Sequence, residues 1–351
     1  MHPYAKQPTS AFWRNVRAVG EPEGAARIWL PKFPITPDQK IATYGSCFAQ
    51  HIGPALADAG YCWLQAEPAP DGLGPAAARE FGYDRFSSRT GNIYTTSMLH
   101  RWAAIACEGG DWPTEIWQHD GQMIDPFRPA MAPGGFADAG ELRRSRRITQ
   151  KAFRRSVAEA DVLIFTLGLT ERWINHQNGC EYPLCPGTKF GQFLPQSHRF
   201  ETMDHAQVLH HLSAALAIMR RQNPALQFLL TVSPVPLAAT ASDHHVLVAN
   251  EMSKSVLRAV AGQLAAKAGD VDYFPSYELI RSPVFAPDTY GPDWREIRPK
   301  AVTRVIDTFL AAQARQFGAP AMPEPRPASP ASEGMASQCD EELLAAFGRP
   351  S

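Results

Sequence analysis

The chain has 351 residues, of which 44% are hydrophobic and 20% are charged, and its formal net charge is −1 at pH 7. This composition is ordinary for a globular protein, and the near-neutral charge excludes a global electrostatic attraction to nucleic acid. No apolar run approaches the roughly 18 residues of a membrane span, and the N-terminus lacks the apolar core of a signal peptide. We therefore expect a cytoplasmic protein with a small-molecule partner, no nucleic-acid partner and no membrane span.

The six cysteines are scattered along the chain, which predicts thiols in a reducing compartment and not a disulfide framework. Cys180 and Cys185 follow His176 at short spacing, but no second cysteine pair completes a zinc site. We expect no metal and no other cofactor. The sequence carries no signal for an oligomeric state.

Residues 1–34 are expected to form an N-terminal extension, and residues 35–317 a single α/β domain. Within that domain, short apolar runs without alternation are typical of strands buried on both faces of a parallel sheet. The predicted strands are 41–44, 160–167, 227–232 and 271–274, and the predicted helices are 48–60, 204–223, 244–268 and 300–317. Strands that alternate with helices predict a three-layer α/β/α sandwich with a mostly parallel sheet.

Residues 62–147 interrupt this alternation with many glycines, prolines and isolated aromatic residues. A segment of that length without regular structure is usually functional. We predict an inserted loop or cap region over the active face. Residues 318–351 are rich in proline, alanine and serine, which predicts a disordered tail, with a short helical pattern at 340–347.

The first predicted strand passes through a tight glycine turn, at Gly45, into a predicted helix. Ser46 and Cys47 follow this glycine. Amide groups and the positive end of the dipole at a helix N-terminus lower the pKa of a thiol and can bind an oxyanion. The junction therefore indicates a nucleophile, although a turn glycine followed by a small buried packing residue would give the same pattern.

Ligands of an open parallel sheet bind beyond the carboxyl ends of the strands. After the second predicted strand, Gly168 permits a close backbone approach, and Thr170 and Glu171 offer a hydroxyl and a carboxylate or, alternatively, a helix cap. After the third, a stiff proline-containing loop leads to His244 and His245. Histidine is a natural base for a cysteine or serine nucleophile. The alternative is that both histidines merely open a helix.

The stretch from Gly45 to Ala49 resembles the signature of the bacterial GSCFA-domain family. Further stretches resemble that family in the same order, namely 91–95, 166–171, 231–237, 253–258 and 273–278. The resemblance covers roughly residues 35–315. This family is similar to the SGNH or GDSL hydrolase superfamily, whose members are mostly esterases and acyl-group enzymes. The resemblance therefore implies a flavodoxin-like α/β/α sandwich and acyl chemistry.

The resemblance also implies roles for single residues. The superfamily's Gly-Asp-Ser turn falls on Gly45, Ser46 and Cys47, which places the nucleophile on Cys47 and leaves Ser46 where an aspartate is usual. The glycine whose amide helps to form the superfamily's oxyanion hole matches Gly91, with Asn92 adjacent.

The superfamily's Gly-x-Asn-Asp block matches 168–171, so that Thr170 replaces the asparagine side-chain donor. Its terminal Asp-x-x-His has no histidine in this chain, where the region instead contains Asp293, Arg295, Glu296 and Arg298. An arginine stays protonated near neutral pH and cannot act as a general base. Either His245 or His244 is then expected to supply the base.

The leading hypothesis is an esterase or acyltransferase that acts on an acyl group of a glycan or a related metabolite. Cys47 attacks the acyl carbonyl and His245 accepts its proton. The amides of Cys47 and Gly91, with Asn92 or Thr170, stabilise the oxyanion. Loop tryptophans could stack on sugars, namely Trp112, Trp117 and Trp173.

Two alternatives remain open. In the first, Ser46 is the nucleophile and Cys47 is buried. In the second, the protein is a non-hydrolytic binding module that recognises an anionic or glycan ligand, in polysaccharide biosynthesis, through Arg295, Arg298 and Lys254.

Overall fold

The computed structural model describes residues 2–285 and 288–321 together with Asp340 and Leu344. The strands are β1 (Ile41–Gly45), β2 (Trp117–His119), β3 (Gln122–Ile124), β4 (Val162–Leu167), β5 (Glu171–Asn175), β6 (Cys180–Tyr182), β7 (His198–Thr202), β8 (Gln227–Val232) and β9 (Val271–Tyr273). The α-helices are α1 (Pro22–Ala25), α2 (Ala49–Asp58), α3 (Pro75–Glu80), α4 (Thr96–Cys107), α5 (Ala139–Glu159), α6 (His205–Gln222), α7 (Val246–Lys267), α8 (Ser276–Arg281) and α9 (Pro299–Phe317). Short 3₁₀ helices precede them at Pro3–Lys6, Thr9–Ala11 and Trp13–Gly20.

The central sheet is parallel, with the strand order β1-β4-β8-β9. At its carboxyl edge Gly45 lies beside Thr166, and Thr166 beside Thr231. On the other edge of β1, Ile41 forms a parallel bridge with Trp63. If this bridge is counted as a rudimentary second strand, the order is the 2-1-3-4-5 order of flavodoxin-like sheets.

Helices cover both faces of this sheet. Along β4 the side chains alternate, so that Leu163 and Phe165 pack in one core with α4, α5, α6 and α7, and Ile164 packs in a second core with α2, α8 and α9. Burial on both faces explains why the strands are apolar without alternation. The predicted three-layer α/β/α sandwich is confirmed.

The predicted strands and helices of the central fold are confirmed to within two residues at each end. The largest shift at a helix start concerns α7, which begins at Val246 because His245 is its N-cap. At the start of α2, Phe48 is the N-cap residue and Ala49 the first helical residue.

The prediction that residues 62–147 lack regular structure is wrong for α4. Its N-cap is Thr95, whose side chain accepts a hydrogen bond from the amide of Met98. Leu99, Trp102 and Ala103 are buried in the larger core, so α4 belongs to a layer of the sandwich. The stretch also contains α3 and the antiparallel hairpin of β2 and β3.

A second antiparallel sheet, with the order β6-β5-β7, follows β4 directly and was not predicted. The disorder predicted for 318–351 and the helical pattern at 340–347 fall largely outside the described residues. In the part of the chain that the structure describes, no helix is both long enough and apolar enough to span a membrane.

Candidate functional site

The turn between β1 and α2 crosses the end of β4. Gly45 has φ 138°, and a Cβ atom on it would lie 2.4 Å from the carbonyl oxygen of Thr166. The Ser46 amide donates to that same carbonyl at 3.1 Å, and the Ala49 amide donates to the Ser46 carbonyl at 2.9 Å. Only glycine fits this close backbone approach. The approach fixes where Ser46 and Cys47 lie.

Ser46 and Cys47 are both buried, each with 2% of its surface exposed. The Ser46 hydroxyl has no hydrogen-bond partner among the described residues. Cys47 belongs to the larger core, together with Ile93 and Tyr94. A buried hydroxyl without a partner costs free energy and requires an explanation, which a bound ligand group would supply.

The loop at 91–95 is docked against this turn. The amide of Ile93 donates to the carbonyl of Gly45 at 2.8 Å. Gln50, in the first turn of α2, donates from Nε2 to Oδ1 of Asn92 at 2.9 Å, and Nδ2 of Asn92 donates to the Tyr94 hydroxyl at 3.0 Å. Gly91, at φ 71°, allows the loop to turn towards the site.

The loop after β4 meets the same place. The amides of Gly168 and Leu169 donate to the carbonyl of Tyr94, at 3.1 and 2.9 Å. A Cβ atom on Gly168 would lie 2.8 Å from Cβ of Ser46. The structure thus brings Ser46, Cys47, Asn92 and Gly168 together at the carboxyl edge of the sheet.

Two side chains of helix α7 form hydrogen bonds with the loop after β4. Ser253 Oγ accepts from the amide of Thr170 at 3.0 Å, and Nζ of Lys254, a residue with 1% exposure, donates to the Gly168 carbonyl at 2.8 Å. The Thr170 hydroxyl is buried and has no partner in the described part of the chain. Glu171 accepts from the Thr240 hydroxyl at 2.7 Å, and burial raises the pKa of the Glu171 carboxyl.

Glu171 is the first residue of β5, so the alternative interpretation of Thr170 and Glu171 as a helix cap is wrong. His244 and His245 are exposed, and Nδ1 of His245 accepts from the amide of Leu247 at 3.2 Å. This contact caps α7, as the alternative interpretation of these histidines expects. A role of His245 as the base stays a prediction.

His51, which sequence reasoning missed, lies in α2 four residues after Cys47. Its ring packs against Phe48, with 6.0 Å between the centroids. Burial lowers the pKa of His51 to about 4, so its imidazole is neutral at pH 7. A histidine four residues after a candidate nucleophile is the sequence pattern that could have identified His51.

The arginines before α9 have different surroundings. Arg295 donates from Nε and Nη2 to the carbonyl of Pro236, both at 3.3 Å, and so holds the loop after β8. Asp293 Oδ1 accepts from the amides of Arg295 and Glu296 at 3.0 and 2.9 Å, which closes a local turn. Arg298 is exposed and is the N-cap residue of α9.

A cavity of about 290 Å³ opens next to these loops. The residues that line it include Tyr94, Leu169, Trp173, Tyr182 and Phe200, so the antiparallel sheet forms one wall. Of the tryptophans predicted to stack on sugars, Trp173 lines this cavity, Trp112 lines a separate groove of about 910 Å³ and Trp117 is buried in a small aromatic core.

Within the described ranges, no group of three or more His, Cys, Asp or Glu residues is placed to hold a metal ion.

Asp340 lies at the site although it is remote in sequence. Its Oδ2 accepts from Nδ2 of Asn92 at 2.8 Å and from the Tyr94 hydroxyl at 3.2 Å. Leu344 lines the cavity of about 290 Å³. Sequence reasoning missed both residues, since no local pattern in the chain around them marks a site.

The fold and the candidate site define an α/β protein whose loops meet at the carboxyl edge of a parallel sheet, beside a cavity of about 290 Å³ that Tyr94 and Leu169 line and that Ser46 and Cys47 do not. The model of the GSCFA family matches residues 40–309, which include the sheet and these loops, and the chain belongs to this family. A comparison with curated proteins returns no match.

Proposed function

We propose that the protein is an acyl-transfer enzyme, an esterase or an acyltransferase, of the kind found in the SGNH or GDSL superfamily. The observation that carries the proposal is the convergence of three loops, 45–47, 91–94 and 168–170, in which Gly168 lies against Ser46. The hydroxyls of Ser46 and Thr170 in these loops are buried and lack partners among the described residues. The proposed substrate is an acyl ester of a glycan or a related metabolite, and aromatic residues of the cavity, such as Trp173, support a sugar.

Cys47 is the proposed nucleophile. It precedes α2, and the positive end of that helix dipole stabilises negative charge that develops nearby. The sulfur attacks the acyl carbonyl carbon, the C–S bond forms, and the leaving alcohol takes up a proton as its C–O bond breaks. Water or an acceptor hydroxyl then attacks the thioester and releases the thiolate. Ser46 is the alternative nucleophile and would react through an oxygen ester.

The proposed oxyanion donors are the Thr170 hydroxyl, the amides of Cys47 and Gly91, and the Asn92 side chain. Thr170 has the strongest support, because its hydroxyl is buried and has no described partner. The proposed base is His245. His51 is the alternative base, since it is neutral at pH 7 and lies four residues, about one helical turn, after Cys47.

The test is hydrolysis of p-nitrophenyl acetate, with intact-mass detection of an acyl adduct. Cys47→Ala is expected to abolish turnover and the adduct, and Cys62→Ala, a change at an exposed thiol, to leave both unchanged. Loss of turnover in Ser46→Ala with retention in Cys47→Ala would move the nucleophile to Ser46. A comparison of His245→Ala with His51→Ala identifies the base. Absence of turnover and adduct in the wild type contradicts hydrolysis of activated esters.

The second candidate is a non-hydrolytic binding module for an anionic or glycan ligand, in polysaccharide biosynthesis. The absence of a histidine between Asp293 and Arg298 favours it, because that segment contains the arginines instead. Arg298, which is exposed, is the better candidate for ligand contact. In a binding module, Cys47→Ala leaves ligand affinity intact.

A cytoplasmic location is part of the proposal. Cys62, Cys107, Cys180 and Cys185 are free thiols, and free thiols persist in a reducing compartment.

A further inference from the structure

The contact between Asp340 and the site joins residues that are 246 and 248 positions apart in the chain. Besides the two hydrogen bonds to its carboxylate, the backbone amide of Asp340 donates to the Tyr94 hydroxyl at 2.9 Å. Asp340 is 8% exposed. The site therefore binds two groups of one residue, a carboxylate and the adjacent N–H.

A buried carboxylate is unfavourable unless its environment is built to receive it. The pKa of the Asp340 carboxyl is raised, because burial raises it and the hydrogen bonds from Asn92 and Tyr94 and the positive charges of Arg85 and Lys189 offset only part of that increase. We call these four residues the carboxylate corner. The corner supplies hydrogen-bond donors and positive charge to a carboxylate, which reduce the cost of its burial.

The donors of this corner are oriented by the domain itself. Gln50 donates to Oδ1 of Asn92, which directs Nδ2 of the same amide towards Asp340. The backbone carbonyl of Tyr94 accepts hydrogen bonds from the amides of Gly168 and Leu169, and these bonds fix the position from which the Tyr94 side chain extends. A preorganised pair of donors binds any ligand of the right geometry and is not specific to Asp340.

An apolar space adjoins the corner. Tyr94 contacts Asp340 and also lines the cavity of about 290 Å³, where Leu344 is one of the lining residues. Asp340 thus presents a carboxylate to the corner, and the apolar side chain of Leu344 lines the cavity.

We propose that Asn92 and Tyr94 form a binding subsite for a carboxylate with an adjacent N–H donor, as in an N-acylated aspartate or an aspartyl peptide. Asp340 occupies this subsite in the resting chain. Asp340 therefore competes with ligands of this class for the subsite, and such ligands displace it. The proposal stands independently of acyl chemistry.

The test is calorimetric titration of the full-length protein with the α-amide of N-acetyl-L-aspartate, whose only carboxylate is the side chain, and with the α-amide of N-acetyl-L-asparagine as the neutral control. Asp340→Ala is expected to raise the affinity for the aspartate probe about ten-fold or more, because an intramolecular competitor acts at high effective concentration. The affinity for the asparagine probe does not rise. Adding Tyr94→Phe, which removes one hydroxyl, cancels the gain.

Glu80→Gln is the matched control, since Glu80 is an exposed carboxylate and its change alters the net charge in the same direction. Equal affinity of the wild type and Asp340→Ala, or an equal gain for both probes, would overturn the proposal. Ester hydrolysis is not a readout of this titration, so a failure of the carboxylate subsite and a failure of acyl transfer are distinguishable.

Discussion

Replacement of Gly45 by alanine tests whether the turn at the site is fixed by backbone contact. Alanine at φ 138° is strained, which costs about 1–3 kcal/mol. Its Cβ would also lie 2.4 Å from the Thr166 carbonyl oxygen and 2.8 Å from the Thr166 amide nitrogen. These are backbone atoms of a central strand, and relieving such overpacking costs about 1–3 kcal/mol more. The expected loss of stability is about 2–6 kcal/mol.

Gly72→Ala is the reference for backbone strain without a clash. Gly72 also has a positive φ, 86°, but a Cβ atom there would meet nothing within 4 Å. This variant therefore measures backbone strain alone, about 1–2 kcal/mol. Urea unfolding, followed by far-UV circular dichroism, gives both free energies of unfolding.

The difference between the variants reports the clash with β4 together with any difference in backbone strain between φ 138° and φ 86°. If Gly45→Ala is no more destabilising than Gly72→Ala, the close approach of the turn to Thr166 is refuted, and with it the argument that fixes Ser46 and Cys47. If Gly45→Ala is the more destabilising by about 1–3 kcal/mol, the turn is held as the structure describes.

Three further predictions concern the site and its surroundings. Thr170→Val is expected to retain stability, because it removes a buried hydroxyl without a described partner, but to lower ester turnover by about 10²–10³. A loss of folding stability large enough to explain the loss of turnover would contradict this. His51→Gln is expected to flatten the pH dependence of urea unfolding between pH 6.5 and about 4, since burial lowers the pKa of His51 to about 4 and the unfolded chain alone takes up a proton in that window. An unchanged profile would exclude the buried imidazole. Asp125→Asn is expected to cost about 3–5 kcal/mol at pH 7, because it removes the carboxylate that balances the charges of the buried Arg128 and Arg146. Although burial raises the pKa of Asp125, the two guanidinium groups lower it below 3.8, so this contribution is present above pH 3.8 and disappears as the pH falls through the lowered pKa. A constant difference between variant and wild type down to pH 2 would contradict it.

The central sheet was predictable because its strands are buried on both faces and read as apolar runs. The antiparallel sheet was not, because every residue of β5 is only partly buried and its sequence lacks an apolar run. Helix α4 was hidden by glycine and proline on both sides, although Met98, Leu99, Trp102 and Ala103 form a helical stripe. The sequence pattern that predicts this helix is Thr95, a typical N-cap residue, shortly before that stripe.

The strand order of the central sheet explains why some site residues lie close together. Residues after neighbouring parallel strands meet at one edge, so the approach of Gly168 to Ser46 could be anticipated. The hydrogen-bond partners of Asn92 could not be anticipated. Its contacts to Gln50 and Asp340 depend on the placement of a loop and of a segment far along the chain, and neither has a sequence period.

The described contacts of the site are largely between backbone atoms. The Thr166 carbonyl accepts from Ser46, the Gly45 carbonyl accepts from Ile93, and the Tyr94 carbonyl accepts from Gly168 and Leu169. Each of the three loops is therefore bonded to another loop or to the strand beside it, and none can shift without breaking a buried hydrogen bond. The candidate nucleophiles, the Thr170 hydroxyl and the carboxylate corner at Asn92 consequently behave as one rigid unit. Substitutions in different loops are expected to be non-additive, as is usual for residues that share a network.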